Sequence, residues 1–262
     1  MEGREPRYIR HGHACGDDPI PFSSVGWPGF ELTIVAPAFN EAANLAVLAG
    51  RLDKALDGVR WQLIVVDDDS PDGTAAQAKA LALADGRVSC LKRIKRRGLA
   101  GAVIEGVMAS AAPFVAVMDA DLQHDETLLP AMLAALREDR ADIVIGSRYL
   151  TEGRADAGLT AVRGVGSRLA NRLARLVLRA GVTDPVSGFF MVKRPVFDEA
   201  ASQLSDQGFK ILFDLIATRG PGTRILELPY RFSARQAGES KLDAMAVSDY
   251  LGLIVSRLSG NL

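Results

Sequence analysis

Two carboxylates one residue apart, Asp119 and Asp121, close the apolar run Val115–Met118, and Gln123 and His124 follow directly. A short apolar run of this kind, fed by Pro113, reads as a buried strand whose C-terminal end opens at a cleft. An apolar strand has no use for two like charges at its tip, because they repel and lose solvation. A divalent cation removes the repulsion, and Mg²⁺ or Mn²⁺ takes oxygen ligands of this type. Mg²⁺ is commonly held by one or two carboxylates together with substrate phosphates. The stretch therefore points to a diphosphate-bearing substrate. The competing reading of this motif by itself is a solvated acidic loop.

The elements that must position these groups can be read outward from them. Leu32–Ala36 is a strand, ended by Pro37–Glu41, which starts a helix through about Leu56. Trp61–Val66 is a second apolar strand, running into the acidic turn Asp67–Thr74 and an Ala-rich helix over Thr74–Ala84. Val88–Leu91 is a strand, Gly98–Ser110 a helix, Phe114–Met118 a strand, Glu126–Arg137 a helix and Ile143–Ile145 a strand leading into Gly146–Tyr149. Strands that are continuously apolar and alternate with helices mark a mostly parallel central sheet flanked by helices, an α/β domain. In such sheets ligands bind beyond the carboxyl ends of the strands. Four strand ends carry unusual polar residues: Glu41, the run Asp67–Asp69, the pair Asp119 and Asp121, and Arg148. Parallel connections place all four on one rim.

The second half is less regular. Residues 151–164 read as a Gly-rich charged loop, and Arg163–Ala180 as a helix with arginines at 163, 168, 172, 175 and 179. Ser187–Lys193 is extended, Lys210–Thr218 helical, Arg224–Leu228 a strand, Arg231–Lys241 a polar loop and Asp243–Leu258 an amphipathic last helix. Residues 1–30, rich in Gly, Pro, His and charge without a sustained period, read as a disordered arm, and 31–262 as one domain. The arm's His11, His13, Cys15 and Asp17 are weighed as a metal site and set aside.

Composition excludes several classes. A formal net charge of −1 and no aromatic interleaving in the basic run Lys92–Arg97 argue against a nucleic-acid partner. That run reads instead as a contact for anionic lipid headgroups or as a solvated loop. Two cysteines make neither a disulfide framework nor a zinc set. No apolar run reaches the roughly 20 residues of a spanning helix, and the N-terminus lacks a signal-peptide core. The expectation is a soluble protein that meets a membrane only at its surface.

On the rim, Asp121 and Gln123 would hold a cation against the diphosphate, Asp68 would accept from a base, and Asp119 would take ribose hydroxyls or a metal-bound water. Arg148 would clamp phosphate through its paired donors. Asp72 reads as the cap of the helix after Gly73. His124 is the tempting general base, and reads better as a structural neighbour of the cation site.

Thr33–Glu41, Val66–Thr74, Asp119–His124 and Gly146–Tyr149, supported by Ser187–Phe189, Gly208–Lys210 and Gly238–Lys241, resemble the inverting GT-A glycosyltransferases. More closely they resemble the dolichol-phosphate (polyprenol-phosphate) mannosyltransferases, over about Leu32 to Leu258. The resemblance implies a Rossmann-like GT-A domain. Pro37, Phe39 and Glu41 would line the nucleotide pocket, with Val66 and Asp68 beside the base. Asp119, Ala120 and Asp121 would hold the nucleotide and the cation, with Gln123 beside Asp121 on the cation. Arg148, Arg235 and Lys241 would face the donor's diphosphate or sugar, and Arg163 and Ser167 the phosphate of the lipid acceptor. Phe39 stands where the family often has tyrosine, Asp69 where it often has Gly or Asn, and Asp125–Glu126 where a proline often follows.

The resemblance implies a metal-dependent (Mg²⁺ or Mn²⁺) transfer of mannose from GDP-mannose to a polyprenyl phosphate. The setting would be the cytoplasmic side of a membrane, with peripheral attachment and room for a membrane-protein partner. A UDP-glucose-dependent enzyme, a nucleotide-sugar-binding module without turnover, and a phosphatase with an aspartyl nucleophile are the alternatives. The last would leave the Pro37–Glu41 and Asp67–Asp69 rims idle.

Overall fold

The computed structural model describes residues 29–150, 181–206, 211–230 and 232. The reading of residues 1–28 as an arm, the helices over 163–180 and 243–258 and the loop at 233–241 lie outside the described residues. So do Arg163, Ser167, Arg235 and Lys241.

Seven strands form one sheet in the order β3-β2-β1-β4-β6-β5-β7. They are β1 Leu32–Ala38, β2 Trp61–Asp67, β3 Val88–Lys92, β4 Phe114–Val117, β5 Ile143–Ser147, β6 Phe190–Lys193 and β7 Ile225–Pro229. The helices are α1 Leu45–Ala55, α2 Thr74–Ala84, α3 Leu99–Met108, α4 Leu129–Arg137, α5 Arg194–Ala201 and α6 Ile211–Arg219. β1, β2, β3 and β4 pair in parallel, as do β5 and β7, while β6 runs antiparallel to both β4 and β5. The expected mostly parallel sheet is present, with one reversed strand.

Alternation along the strands builds two cores. Leu32, Ile34 and Ala36 of β1 pack with Leu63 and Val65 of β2 under α1 and α4. Val35, Ile64, Val66, Val115 and Val117 face the other way, onto α3, α5 and α6. Both faces are covered, which is why the strands read as unbroken apolar runs. The approach of α3 is set by Gly106: a Cβ there would lie 2.4 Å from Val35 Cγ1 and 2.8 Å from Val66 Cγ2. No side chain fits between this helix and the sheet.

Two helix starts and one whole helix depart most from the sequence reading. α1 begins at Leu45 rather than at Pro37–Glu41, because β1 runs on to Ala38 in register with Asp67. The helix expected from Glu126 opens as a 3₁₀ turn, Glu126–Leu128, capped by Asp125, before α4 proper. α5 was not anticipated. It starts at Arg194–Pro195, with proline in the first turn where its missing N–H is not needed.

The end of the sheet away from the rim is closed by charge. Arg224 and Lys193 both bind Asp139 and Asp142. The Arg224 guanidinium, with Lys193 beside it, holds the Asp142 carboxyl down to about 2 and lowers that of Asp139 as well. A depressed carboxylate stabilises the fold above its unfolded value, near 3.9, and that contribution is lost as pH falls through the folded one. Wild-type stability should therefore drop between about pH 4 and pH 2. In Asp142→Asn the drop should be visibly shallower in acid-denaturation curves followed by circular dichroism.

Candidate active site at the carboxyl ends of the strands

The ladder between β1 and β4 stops at Val35 and Val117, whereas β1 stays paired with β2 as far as Ala38 and Asp67. Past Val35 the strands β1 and β4 part. They are also where the chain order reverses, β1 leading to β2 and β3 on one side and β4 lying on the other. That is the switch point at which open α/β sheets bind ligands.

One wall of this crevice is built from two loops zipped together. Backbone N–H groups of the loop after β1 donate to side chains of the loop after β2: Asn40 to Ser70 Oγ at 2.9 Å, Glu41 to Thr74 Oγ1 at 2.9 Å and Ala42 to Asp72 Oδ2 at 3.1 Å. Asp72 Oδ1 also accepts from Thr74 N at 2.9 Å. It does serve the start of α2 as expected, and it also crosslinks the loops. The helix cap itself is Gly73, with a positive φ of 90°. Glu41 is buried and accepts from Asn44 Nδ2 at 2.7 Å. Phe39 is half-buried, with the Arg97 guanidinium 4.4 Å from its ring centroid. Pro37 is half-buried in β1, and Val66 is fully buried against α3.

Behind this wall lies a group the sequence reading placed elsewhere. Arg93 is 4% exposed. Its guanidinium donates to Asp68 Oδ1 at 2.6 Å, Gly98 O at 3.0 Å and Glu105 Oε1 at 3.1 Å. Asp68 Oδ2 accepts from Gly98 N at 2.7 Å. Both Asp68 oxygens are thus oriented, each keeping a second lone pair for a ligand. Lys92 pairs with Asp69, and Arg96 with Glu105. The run Lys92–Arg97 keeps Lys92 and Ile94–Arg97 exposed, as the solvated-loop reading expects, while Arg93 alone turns inward. Four of its basic residues turn onto acids or a ring because three acids, Asp68, Asp69 and Glu105, converge on the same corner.

The opposite wall is Asp119–His124. Asp121 is 4% exposed, and its Oδ1 accepts from Gln123 N at 3.1 Å. Asp119 is partly exposed, with its N–H donated to His124 Nδ1 at 3.1 Å. Ala120 is buried, and Gln123 is half-buried. Leu122 sits at a φ of +64°, a conformation costly for a branched side chain, which turns the chain so that Asp121 and Gln123 come together. Asn40 and Asp69 adopt the same region in the loops after β1 and β2. Strain of this kind gathers at functional loops.

His124 is buried, stacked on Phe189 with centroids 5.1 Å apart, and met edge-on by Tyr230 and Phe232. Burial pushes its imidazole down to about 4. It is neutral near pH 7, and Nδ1 is engaged by Asp119 N–H. It shapes the Asp119 turn and is unsuited to act as a base, as the sequence reading preferred.

Arg148, beyond β5, donates through Nε and Nη2 to Asp184 at 2.8 and 2.9 Å. Asp184 is fully buried. Its loop is held in turn by Glu227 of β7, whose carboxylate accepts from Thr183 N at 2.7 Å and Asp184 N at 3.0 Å. Asp184, Glu227 and Arg93 were all missed. The signal for Asp184 was present: a single acid inside Val182–Val186, where a lone charge between apolar residues must have a partner.

Among the described residues no three His, Cys, Asp or Glu side chains cluster as a metal cage. The donor set of Asp119, Asp121 and Gln123 is all oxygen and short of a full shell. That fits a hard divalent cation completed by substrate phosphates.

The chain matches the model of glycosyl transferase family 2 over residues 33–200. It is 36% identical over 230 residues to the dolichol-phosphate mannosyltransferase of Mycosarcoma maydis, covering 85% of this chain and 77% of that one. To that of Saccharomyces cerevisiae it is 32% identical, covering 84% of each. The chain belongs to glycosyl transferase family 2, among the dolichol-phosphate mannosyltransferases. The relative from Pyrococcus furiosus is 35% identical over 223 residues, and the match spans 62% of that longer protein. Among solved structures, glucosyl-3-phosphoglycerate synthase from Mycobacterium tuberculosis, in complex with Mn²⁺, UDP and its product, aligns with a TM-score of 0.66 at 19% identity, over 88% of this chain and 80% of that one. Mannosyl-3-phosphoglycerate synthase from Rubrobacter xylanophilus aligns at 0.64 and 20%, over 89% and 76%. At these identities the likeness establishes the GT-A fold of this family member. Among the described residues no helix is long and apolar enough to cross a membrane.

Proposed function

We propose that the protein transfers mannose from GDP-mannose to a polyprenyl phosphate, with inversion at the anomeric carbon. The observation that carries this reading is the crevice between β1 and β4. It has a wall of crosslinked loops at Phe39–Glu41 and Asp68 on one side and the Asp119–Asp121–Gln123 oxygens on the other. The names of the relatives supply the sugar and the lipid class.

Asp121 and Gln123 would hold Mg²⁺ or Mn²⁺, which when bound would neutralise the diphosphate and stabilise it as the leaving group. Asp119 and Ala120 would seat the nucleotide, and Asp68, oriented by Arg93, would accept from the base. Pro37, Phe39, Glu41 and the backbone of Val66 would frame it. Arg148, Arg235 and Lys241 would bind the donor's phosphates or sugar, and Arg163 and Ser167 the acceptor phosphate.

A phosphate monoester has its second pKa near about 6, so near pH 7 it is largely a dianion and needs no base. Its oxygen forms the new bond to the anomeric carbon as the bond from that carbon to the diphosphate oxygen breaks, and GDP departs. What the protein contributes is alignment and charge. The absence of a titrating role for His124 agrees with this. Because the acceptor is a lipid, the reaction takes place at a membrane surface, and a membrane-protein partner would assist presentation.

Incubation with labelled GDP-mannose or UDP-glucose, polyprenyl phosphate and Mg²⁺ or Mn²⁺ tests the reading. Labelled mannolipid from GDP-mannose alone is expected. Glucolipid, or nucleotide-sugar binding without any glycolipid, would overturn it.

A further inference from the structure

We infer that Asp184 is a positioning residue that converts Arg148 from a mobile surface cation into a fixed two-pronged receptor for a substrate phosphate group. A guanidinium offers two forked edges, one formed by Nε and Nη2 and one by Nη1 and Nη2. Asp184 occupies the first edge, with Nε to Oδ2 at 2.8 Å and Nη2 to Oδ1 at 2.9 Å. Among the described residues Nη1 has no hydrogen-bond partner, so the second edge is the one left to a ligand. Two rings lie close by: the central guanidinium carbon is over the rings of both Tyr149 and Phe232, 5.7 Å from each centroid. One edge is anchored, two aromatic rings lie near the group, and one fork remains without a protein partner among the described residues.

The anchor is itself anchored. Asp184 is fully buried, so its carboxylate cannot swing to water. Its backbone N–H and that of Thr183 are gripped by Glu227, and Thr183 Oγ1 lies 2.7 Å from Ser147 Oγ. β5, which delivers Arg148, and β7, which delivers Glu227, are adjacent parallel strands paired through Ile145 and Glu227. The Glu227–Thr183–Asp184–Arg148 chain therefore runs across neighbouring strands whose relative position the ladder fixes. Such a chain supplies order at the moment of reaction and does not need to be found by the substrate. A pair carrying no net charge attracts anions less from a distance. Its value lies in orientation.

The identity of the anion rests on the function proposed above. It is a phosphate oxygen pair from either the donor diphosphate or the acceptor monoester. Asp184→Asn keeps the shape and one acceptor oxygen, but sets an amide N–H₂ against the guanidinium. Its kcat/KM should fall by about 10- to 100-fold, the size expected when the support of a functional group is removed. Separate KM values for GDP-mannose and for polyprenyl phosphate then tell which phosphate the fork takes.

The deciding measurement is a double-mutant cycle with Arg148→Lys. Lysine lacks the second edge, so adding Asp184→Asn should cost less than about threefold more. Effects that multiply, or an Asp184→Asn enzyme within twofold of wild type, would overturn the inference, since a merely structural role gives independent losses. Should Asp184→Asn fail to fold, Glu227→Gln carries the same cycle, with a smaller loss that again vanishes in the Arg148→Lys background. Should the wild type transfer no sugar, the proposed function falls. Asp184 is then judged by the affinity for inorganic pyrophosphate with Mg²⁺, measured by calorimetry in the same four proteins. Weakening in Asp184→Asn that is absent from the Arg148→Lys background supports it, and unchanged affinity refutes it.

Discussion

Asp121→Asn should lower mannosyl transfer by about 100- to 1,000-fold, the usual loss when one group that stabilises developing charge is removed, with little change in melting temperature. Its position makes asparagine the informative replacement. A carboxylate at a strand tip that was freely exposed could be replaced by alanine without harm to the fold. The side chain is instead 4% exposed, and its Oδ1 receives the Gln123 N–H at 3.1 Å. Alanine would leave that N–H without its acceptor and open a hole beside Leu122, mixing a folding defect with a catalytic one. Asparagine keeps the volume and the accepting oxygen and removes only the negative charge. Mn²⁺ binding, measured by electron paramagnetic resonance in the presence of GDP, should weaken in parallel. Full turnover in this variant would rule out Asp121 as a cation ligand.

Arg93→Ala should be among the most destabilising single changes in the molecule. Its guanidinium is the counter-charge of Asp68, whose side chain is 12% exposed, and it joins the ends of β2 and β3 to the start of α3. Removing one partner of a buried ion pair typically costs about 3–5 kcal/mol, because the other charge stays in place. Folded domains have only about 5–15 kcal/mol in hand. Arg96, three residues on, makes a similar-looking pair with Glu105, yet its side chain is 60% exposed. Exposed pairs contribute about 1 kcal/mol or less. Urea midpoints of Arg93→Ala and Arg96→Ala should therefore differ widely although the two residues share one basic run. Equal midpoints would mean that Arg93 is no more structural than its neighbours. On the proposed function, Asp68, no longer held, should also lose its grip on the base, read as a raised KM for GDP-mannose in protein that remains folded at low temperature.

The contrast between Arg93 and Arg96 shows where reading the chain succeeds and where it stops. Strands at Leu32–Ala36 and Trp61–Val66 were evident because burial on both faces demands unbroken apolar runs, although β1 and β2 run on to Ala38 and Asp67. Asp119, Asp121 and Gln123 stood out for the opposite reason: charge where an apolar strand should end. What escaped was partnership across the chain. Arg93 and Asp68 are 25 residues apart, and Arg148 and Asp184 are 36 apart. Periodicity says nothing of which distant acid a given arginine will meet. The direction of β6 escaped too. Three apolar residues and a lysine read the same way up or down, and only the short α5 that follows, packed by Phe197 against the second core, shows that the strand has turned back.

That reversed strand acts as a spacer. β4 brings Asp119 and Asp121 to the rim and β5 brings Arg148, but β6 lies between them. Neighbouring strands are about 4.8 Å apart, so the two delivery points stand roughly 10 Å from one another. Side-by-side strands would halve that gap and leave it too narrow for a pyranose ring flanked by phosphates. Running backward, β6 also offers the rim its beginning and not its end, and two residues before that beginning stands Gly188: a Cβ on this residue would lie 3.3 Å from Asp119 Oδ2. The sheet's own architecture thus sets the width of a bay one strand across, and a residue with no side chain keeps its floor clear.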